Sequence, residues 1–157
     1  MPLNRQVVLV SGCSSGIGRA LALEFARAGH RVFASARKPE DLHGLEALGL
    51  DGLALDVTDP TSVEAAVAAV IERAERVDVL VNNAGLSAVG PLAEVPLDTV
   101  RRLFETNVTG LLAMVQAVFP TWPNAAVGAS SISAVWVRSC RHRSRAGTAP
   151  PSRPCMC

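Results

Sequence analysis

Val10-Ser11-Gly12-Cys13-Ser14-Ser15-Gly16-Ile17-Gly18 lies between two segments of different periodicity. Before it, Gln6 to Val10 is a short apolar run that reads as a strand. After it, Ile17, Ala20, Leu21, Glu24, Phe25 and Ala28 recur at helical spacing, and Gly29 closes the helix. Gly12, Gly16 and Gly18 therefore fall at a strand-to-helix turn. Without side chains, the backbone there can turn tightly and approach a pyrophosphate, and the helix start offers free N–H donors. The placement predicts a dinucleotide site, with an ordinary strand–helix turn as the alternative. No Lys-Ser or Lys-Thr follows the glycines, which disfavours a nucleoside-triphosphate loop.

Outward from this turn the same alternation continues. His30 to Ala36 reads as a second strand, and Pro39 opens a helix with Leu42, Leu45, Ala47 and Leu48 on its apolar face. Leu53 to Val57 reads as a third strand. Asp59 reads as an N-cap and Pro60 as the first residue of a long helix running to about Glu75. Val77 to Val81 is a fourth strand, residues 83–95 a loop, Pro96 to about Val118 another long helix, and Val127 to Ser131 a short fifth strand. Nearly all-apolar strands alternating with helices predict an α/β fold: a Rossmann-type, doubly wound parallel sheet, truncated after about five strands.

The pattern stops after Val137. Residues 138–157 hold five of the fifteen basic side chains and none of the fourteen acids, in a run of Arg, Ser, Pro and Cys without periodicity. The division expected is an incomplete nucleotide-binding domain over 1–137 and a basic, unstructured tail over 138–157. No aromatic is interleaved with the arginines and no amphipathic stripe accompanies them, so neither nucleic acid nor a membrane surface is expected as a partner. Cys155 and Cys157 are closer than the usual zinc spacing of about two to four intervening residues, and no metal site is expected. Without a disulfide framework, a signal-peptide pattern or a long apolar span, the expectation is a cytoplasmic chain with no transmembrane segment.

Several side chains are candidates for chemistry. Asp56 ends the third strand, where it can accept a hydrogen bond from an adenine amino group or simply reach water. Asn82-Asn83-Ala84-Gly85 follows the fourth strand at the carboxyl edge, where open α/β sheets bind ligands. Asn107 lies inside a long helix, against its propensity, as a buried structural amide or a site residue. Arg37 follows the second strand. Ala36 before it offers no carboxylate for a ribose hydroxyl, whereas arginine's planar fork suits a 2′-phosphate, and Lys38 adds charge. This favours NADP(H) over NAD(H), with solvated helix-cap charges as the alternative.

Together these segments resemble the classical short-chain dehydrogenase/reductase family. Ser11 to Gly18 is similar to its T-G-x-x-x-G-I-G motif, with serine at the usual threonine. Leu55-Asp56-Val57 resembles the adenine-binding segment, and Asn82 to Gly85 matches N-N-A-G in full. Asn107 resembles the helix asparagine that holds a water in the proton relay, and Ser131 the substrate-orienting serine at the end of the fifth strand. The resemblance implies catalytic roles for Asn107 and Ser131. It implies cofactor contacts from Gly12, Ser14, Ser15, Gly16, Ile17 and Gly18, and further ones from Arg37, Asp56, Val57, Asn83, Ala84 and Gly85. The activity implied is hydride transfer between the nicotinamide and a small-molecule alcohol or carbonyl substrate. The wording around Arg37 and Gly90-Pro91-Leu92 resembles members acting on steroids, retinoids or acyl-ketones.

One departure limits that inference. The family's Y-x-x-x-K pair supplies the proton, through a tyrosine whose pKa the lysine lowers. This sequence has no tyrosine, its only lysine is Lys38, and Ser144 and Thr148 stand where the pair belongs. A serine hydroxyl does not replace a tuned phenol as an acid near neutral pH. The sixth and seventh strands are also missing, and the abrupt change near Arg138 resembles a shifted reading frame or an aberrant splice. The expectation is a family member that is itself inactive. The alternatives are a non-catalytic nucleotide-binding or regulatory protein, or a non-functional truncated product. The oligomeric state is left open.

Overall fold

A computed structural model describes residues 5–122 and the strand 130–133. The elements run β1 (Val7–Val10), α1 (Gly16–Arg27), β2 (Arg31–Ala36), α2 (Pro39–Glu46), β3 (Asp51–Ala54), α3 (Pro60–Ala74), β4 (Val79–Asn82), α4 (Leu97–Phe104), α5 (Gly110–Val118) and β5 (Ser130–Ser133). The five strands form one sheet in the order β3-β2-β1-β4-β5, and every pairing is parallel. The order reverses between β1 and β4, as in a doubly wound Rossmann fold, and the crevice at such a reversal is where ligands bind.

Each face of the sheet has its own core, because alternate strand residues point to opposite sides. Leu9, Phe33 and Leu80 pack with Val63, Val67 and Val70 of α3 and Met114 and Val118 of α5. Val8, Val10, Val32, Ala34, Val79 and Val81 pack with Ala22 of α1 and Leu45 of α2 on the other side. Two-sided burial is the reason the strands read as continuous apolar runs rather than as alternations. Emptying one such position, as in Leu9→Ala, costs about 2–5 kcal/mol.

Local signals act as their chemistry requires. Asp59 caps α3 by accepting the Thr61 N–H at 3.0 Å, with Pro60 at the first helical position. Gly29 follows the end of α1 with φ +89°, a conformation that side chains disfavour. Some boundaries differ from the sequence expectation. β3 spans Asp51–Ala54 rather than Leu53 to Val57, and β4 spans Val79–Asn82 rather than Val77 to Val81. Pairing sets these limits, not apolarity: Asp51 is opposite Phe33 and bonds Arg31 at 3.2 Å, and Val79 is opposite Val8. The helix expected from Pro96 to Val118 is α4 and α5 joined by a π-helical turn over Glu105–Thr109.

The described part of β5 is Ser130–Ser133, which holds the end of the expected fifth strand; residues 127–129 lie outside the described residues, as does the basic tail 138–157. Among the described residues no helix is long and apolar enough to cross a membrane, and no group of three or more potential ligands is placed to hold a metal. Leu97, Phe104, Val108 and Leu112 are exposed apolar side chains along α4, the π turn and α5, and Phe119, just after α5, is another.

Candidate functional site

The carboxyl ends of four strands converge on a cleft of about 350 Å³. After β1 it is lined by Gly12, Ser14, Ser15, Gly16 and Ile17, and after β2 by Ala36 and Arg37. Leu55, Asp56 and Val57 follow β3, and Asn83, Ala84, Gly85 and Leu86 follow β4. Thr106, in the π turn, completes the wall.

The glycines divide into two kinds. Gly16 has φ +65°, and a Cβ built on it meets nothing within 4 Å. It is glycine for its backbone conformation and leaves open space beside the cleft. Gly12 has φ +71°, and its Cβ would lie 2.8 Å from Ala84 Cα. Gly18 is buried, and its Cβ would lie 2.3 Å from Asn83 Nδ2. Gly18 therefore does not line the cleft. Its lack of a side chain lets α1 close against the β4 turn.

Ser11 and Asn83 join the two turns. The buried Ser11 hydroxyl accepts the N–H groups of Asn83 and Ala84, each at 3.0 Å. The Asn83 amide donates to Ser11 O at 3.0 Å and Gly12 O at 2.8 Å. Ser11, read from sequence only as the stand-in for a threonine, is the hub of this network. A short hydroxyl residue at a strand end beside a glycine is the one signal that pointed to it.

Asp56 lines the cleft in an Asx turn. Its Oδ1 accepts from Thr58 N at 3.0 Å and Thr58 Oγ1 at 2.7 Å, and its own N–H donates to Ser62 Oγ at 2.9 Å. The Thr58 backbone N–H holds this carboxyl below its ordinary pKa against opposing desolvation, with smaller contributions from the Thr58 hydroxyl and the Arg37 guanidinium. Arg37 is exposed at the same end of the cleft, while the exposed Lys38 is not part of the lining.

Asn107 bonds the loop after β4 through both its amide atoms. Its Oδ1 accepts from Leu86 N at 2.8 Å and its Nδ2 donates to Leu86 O at 2.9 Å. Its amide thus holds the loop after β4 against the π turn rather than lining the cleft. The structure places Ser131 opposite Leu80, one pairing step short of the level of Val81 and two short of Asn82 at the carboxyl edge. Ser133 is the residue level with that edge. Ser144 and Thr148 lie outside the described residues. Leu86 lines the cleft with no motif in the sequence to announce it, and Thr106 lines it beside the motif residue Asn107 without having been singled out.

The profile of the short chain dehydrogenase family matches residues 6–139. A short-chain dehydrogenase/reductase from Pestalotiopsis microspora is 38% identical over 117 residues, covering 74% of this chain and 42% of that protein. The solved RhlG/NADP active-site complex from Pseudomonas aeruginosa superposes with a TM-score of 0.75 at 29% identity, covering 82% of this chain and 53% of its own. An actinorhodin polyketide ketoreductase solved with NADPH gives a TM-score of 0.69 at 39% identity, covering 74% of this chain and 47% of its own. The chain spans less than half the length of the curated relatives it matches.

Proposed function

This chain belongs to the short-chain dehydrogenase/reductase family, and from that premise we propose that residues 1–137 form its nucleotide-binding part and hold NADP(H) in the cleft at the carboxyl edge of the sheet. One observation carries the reading: the Gly12–Ile17 turn, the Asp56–Val57 turn and the Asn83–Gly85 turn, distant in sequence, line a single cleft at the switch point. The cradle fits the group. Gly16 opens onto free space, and α1 begins in the cleft wall at Gly16 and Ile17 with no side-chain cap on its first turn, which suits an anion.

Each part of the cleft has a role in that reading. Gly12, Ser14, Ser15, Gly16 and Ile17 receive the pyrophosphate and its ribose. Asp56 and Val57 border the adenine, and Ala84 and Gly85 border the nicotinamide-side ribose. Arg37 supplies the charge for a 2′-phosphate, with no carboxylate at Ala36 to compete. The NADP and NADPH named with two of the solved relatives support the phosphorylated form.

The reaction of the intact relatives is hydride exchange between the nicotinamide and an alcohol or carbonyl carbon. Toward it this chain contributes the Asn107 clamp, which orders the β4 loop; Ser131 is the serine to which the family motif assigns the substrate oxygen, and it sits two pairing steps short of the carboxyl edge, where Ser133 stands. The chain contributes no phenol to carry the proton, since the sequence contains no tyrosine. The function of these 157 residues is therefore nucleotide binding without turnover. The substrate class of an intact form is an alcohol or carbonyl compound, with steroids, retinoids and acyl-ketones the first to try.

Titration calorimetry with NADPH and NADH tests the binding reading. Saturable NADPH binding, tighter than NADH binding, is expected. No heat with either nucleotide, from a chain shown to be folded by circular dichroism, refutes it.

A further inference from the structure

We propose that Gly110 is a positioning residue that sets the width of the nucleotide cleft. The inference rests on the cofactor reading above.

Gly110 begins α5, directly after the π turn, and is buried. A Cβ built on it would lie 2.8 Å from Val57 O, 3.0 Å from Val57 Cγ2 and 3.1 Å from Val57 Cβ. The first contact is to backbone, so no side-chain rotation relieves it. α5 and the turn after β3 touch at this point because residue 110 has no side chain.

The contact lies between two walls of the cleft. Val57 lines it directly, beside Asp56. Thr106 lines it from the helix side, one turn before Gly110. Thr106, Gly110, Met114 and Val118 recur every four residues and are the buried residues of the π turn and α5. They form one rigid edge against the sheet. Asn107, on the same turn, holds Leu86, which lines the cleft from a third side. The Gly110–Val57 spacing therefore fixes how far the Val57 wall stands from the Thr106 and Leu86 walls. Protein interiors do not deform smoothly, so a displaced helix carries its attached walls with it.

Local helix propensity argues the opposite direction. Alanine is the better helix former, so Gly110→Ala improves α5 taken alone. A loss of nucleotide affinity in that variant comes from the contact with Val57. Gly44, in α2, serves as the control, since its Cβ would meet only Arg19 at an ordinary 3.5 Å.

The test compares the full chain with Gly110→Ala and Gly44→Ala. Backbone NMR of the nucleotide-free proteins is expected to show shifts at Leu55, Asp56, Val57 and Thr58 in Gly110→Ala and none there in Gly44→Ala. NADPH and 2′,5′-ADP are both expected to bind Gly110→Ala about tenfold or more weakly, with Gly44→Ala unchanged. A merely structural glycine would lower the melting temperature while leaving both dissociation constants of the folded protein as they were, and that result overturns the proposal. If Gly110→Ala does not fold, hydrogen exchange of the parent chain decides. NADPH should slow the amides of 110–114 together with those of 55–58, and unchanged exchange at 110–114 counts against the coupling. A parent chain that binds neither nucleotide overturns the cofactor reading instead. The nucleotide-free shifts then still decide whether Gly110 sets the spacing.

Discussion

Ser11 and Asn83 bond to each other in both directions: the Ser11 hydroxyl accepts the Asn83 N–H at 3.0 Å, and the Asn83 amide returns a bond to the Ser11 carbonyl at 3.0 Å. The pair joins the turn after β1 to the turn after β4, on either side of the switch point. Ser11→Ala leaves the Asn83 and Ala84 N–H groups without their acceptor, a loss of about 1–3 kcal/mol for each group left buried and unpaired. Ser11→Thr keeps the hydroxyl and should fall within about 1 kcal/mol of the parent. Urea denaturation of the three proteins measures this, and an alanine variant as stable as the parent would show the bonds to be incidental.

The glycines of the first turn should separate by what they affect. Gly18→Ala drives a Cβ into the Asn83 amide and disrupts its bonds to Ser11 O and Gly12 O, so stability falls by roughly 1–3 kcal/mol or more. Gly16→Ala meets no atom and carries only the strain of its left-handed backbone, about 1–2 kcal/mol. Its larger effect is on NADPH, because the new methyl group stands beside the cleft. Melting temperatures and calorimetric dissociation constants should therefore rank the two variants in opposite orders.

Arg37→Ala should narrow the preference for NADPH over NADH without weakening NADH. The preference should also shrink as salt rises, because Arg37 is exposed and its charge is screened. Calorimetry at two ionic strengths reads both effects. Equal binding of the two nucleotides by the parent chain would exclude Arg37 as the discriminating group.

Cys13 should resist alkylation in the folded chain. Burial raises its thiol pKa from 9.0 to about 12, only partly offset by the Ser35 backbone contact, and the thiol is fully inaccessible. Its folded pKa lies above its unfolded value. The stability linked to it is therefore complete below about pH 9 and is lost as pH rises from there toward about 12. Iodoacetamide labelling followed by peptide mass spectrometry should mark Cys13 only when denaturant is present. Rapid labelling of the native chain at pH 8 would contradict the burial.

Hydride transfer should be undetectable at a useful rate even when NADPH is bound. A positioned general acid is worth about 10²–10⁴-fold in rate, and the sequence has no tyrosine to serve as one. Lys38 follows β2, where the proposed reading puts the adenosine end, and so is not placed for that role. The folded chain mixed with NADPH and steroid, retinal or acyl-ketone substrates should yield no product by mass spectrometry. Turnover near the common range of about 1–10³ s⁻¹ would reverse the assignment.

The sequence by itself determined the alternation of strands and helices, the glycine turn, the α3 cap and the family. These follow from local chemistry: periodicity, φ preferences at Gly12, Gly16 and Gly29, and the Asp59-Pro60 start are all written over a few neighbouring residues. It also determined that no tyrosine is present for the proton step. Tertiary structure decided what each motif residue does. That Gly18 must lack a side chain to let α1 meet Asn83 shows only in the folded chain, where a Cβ would lie 2.3 Å from Asn83 Nδ2. Asn107 stands out in sequence only as a polar residue inside a helix, and its partner, the Leu86 backbone, is 21 residues away. The limits of β3 and β4 came from pairing with β2 and β1, which no single segment encodes. Leu86, Thr106 and the Gly110–Val57 contact were invisible for the same reason: each depends on residues far apart in sequence, and only the folded sheet brings them within a few ångströms.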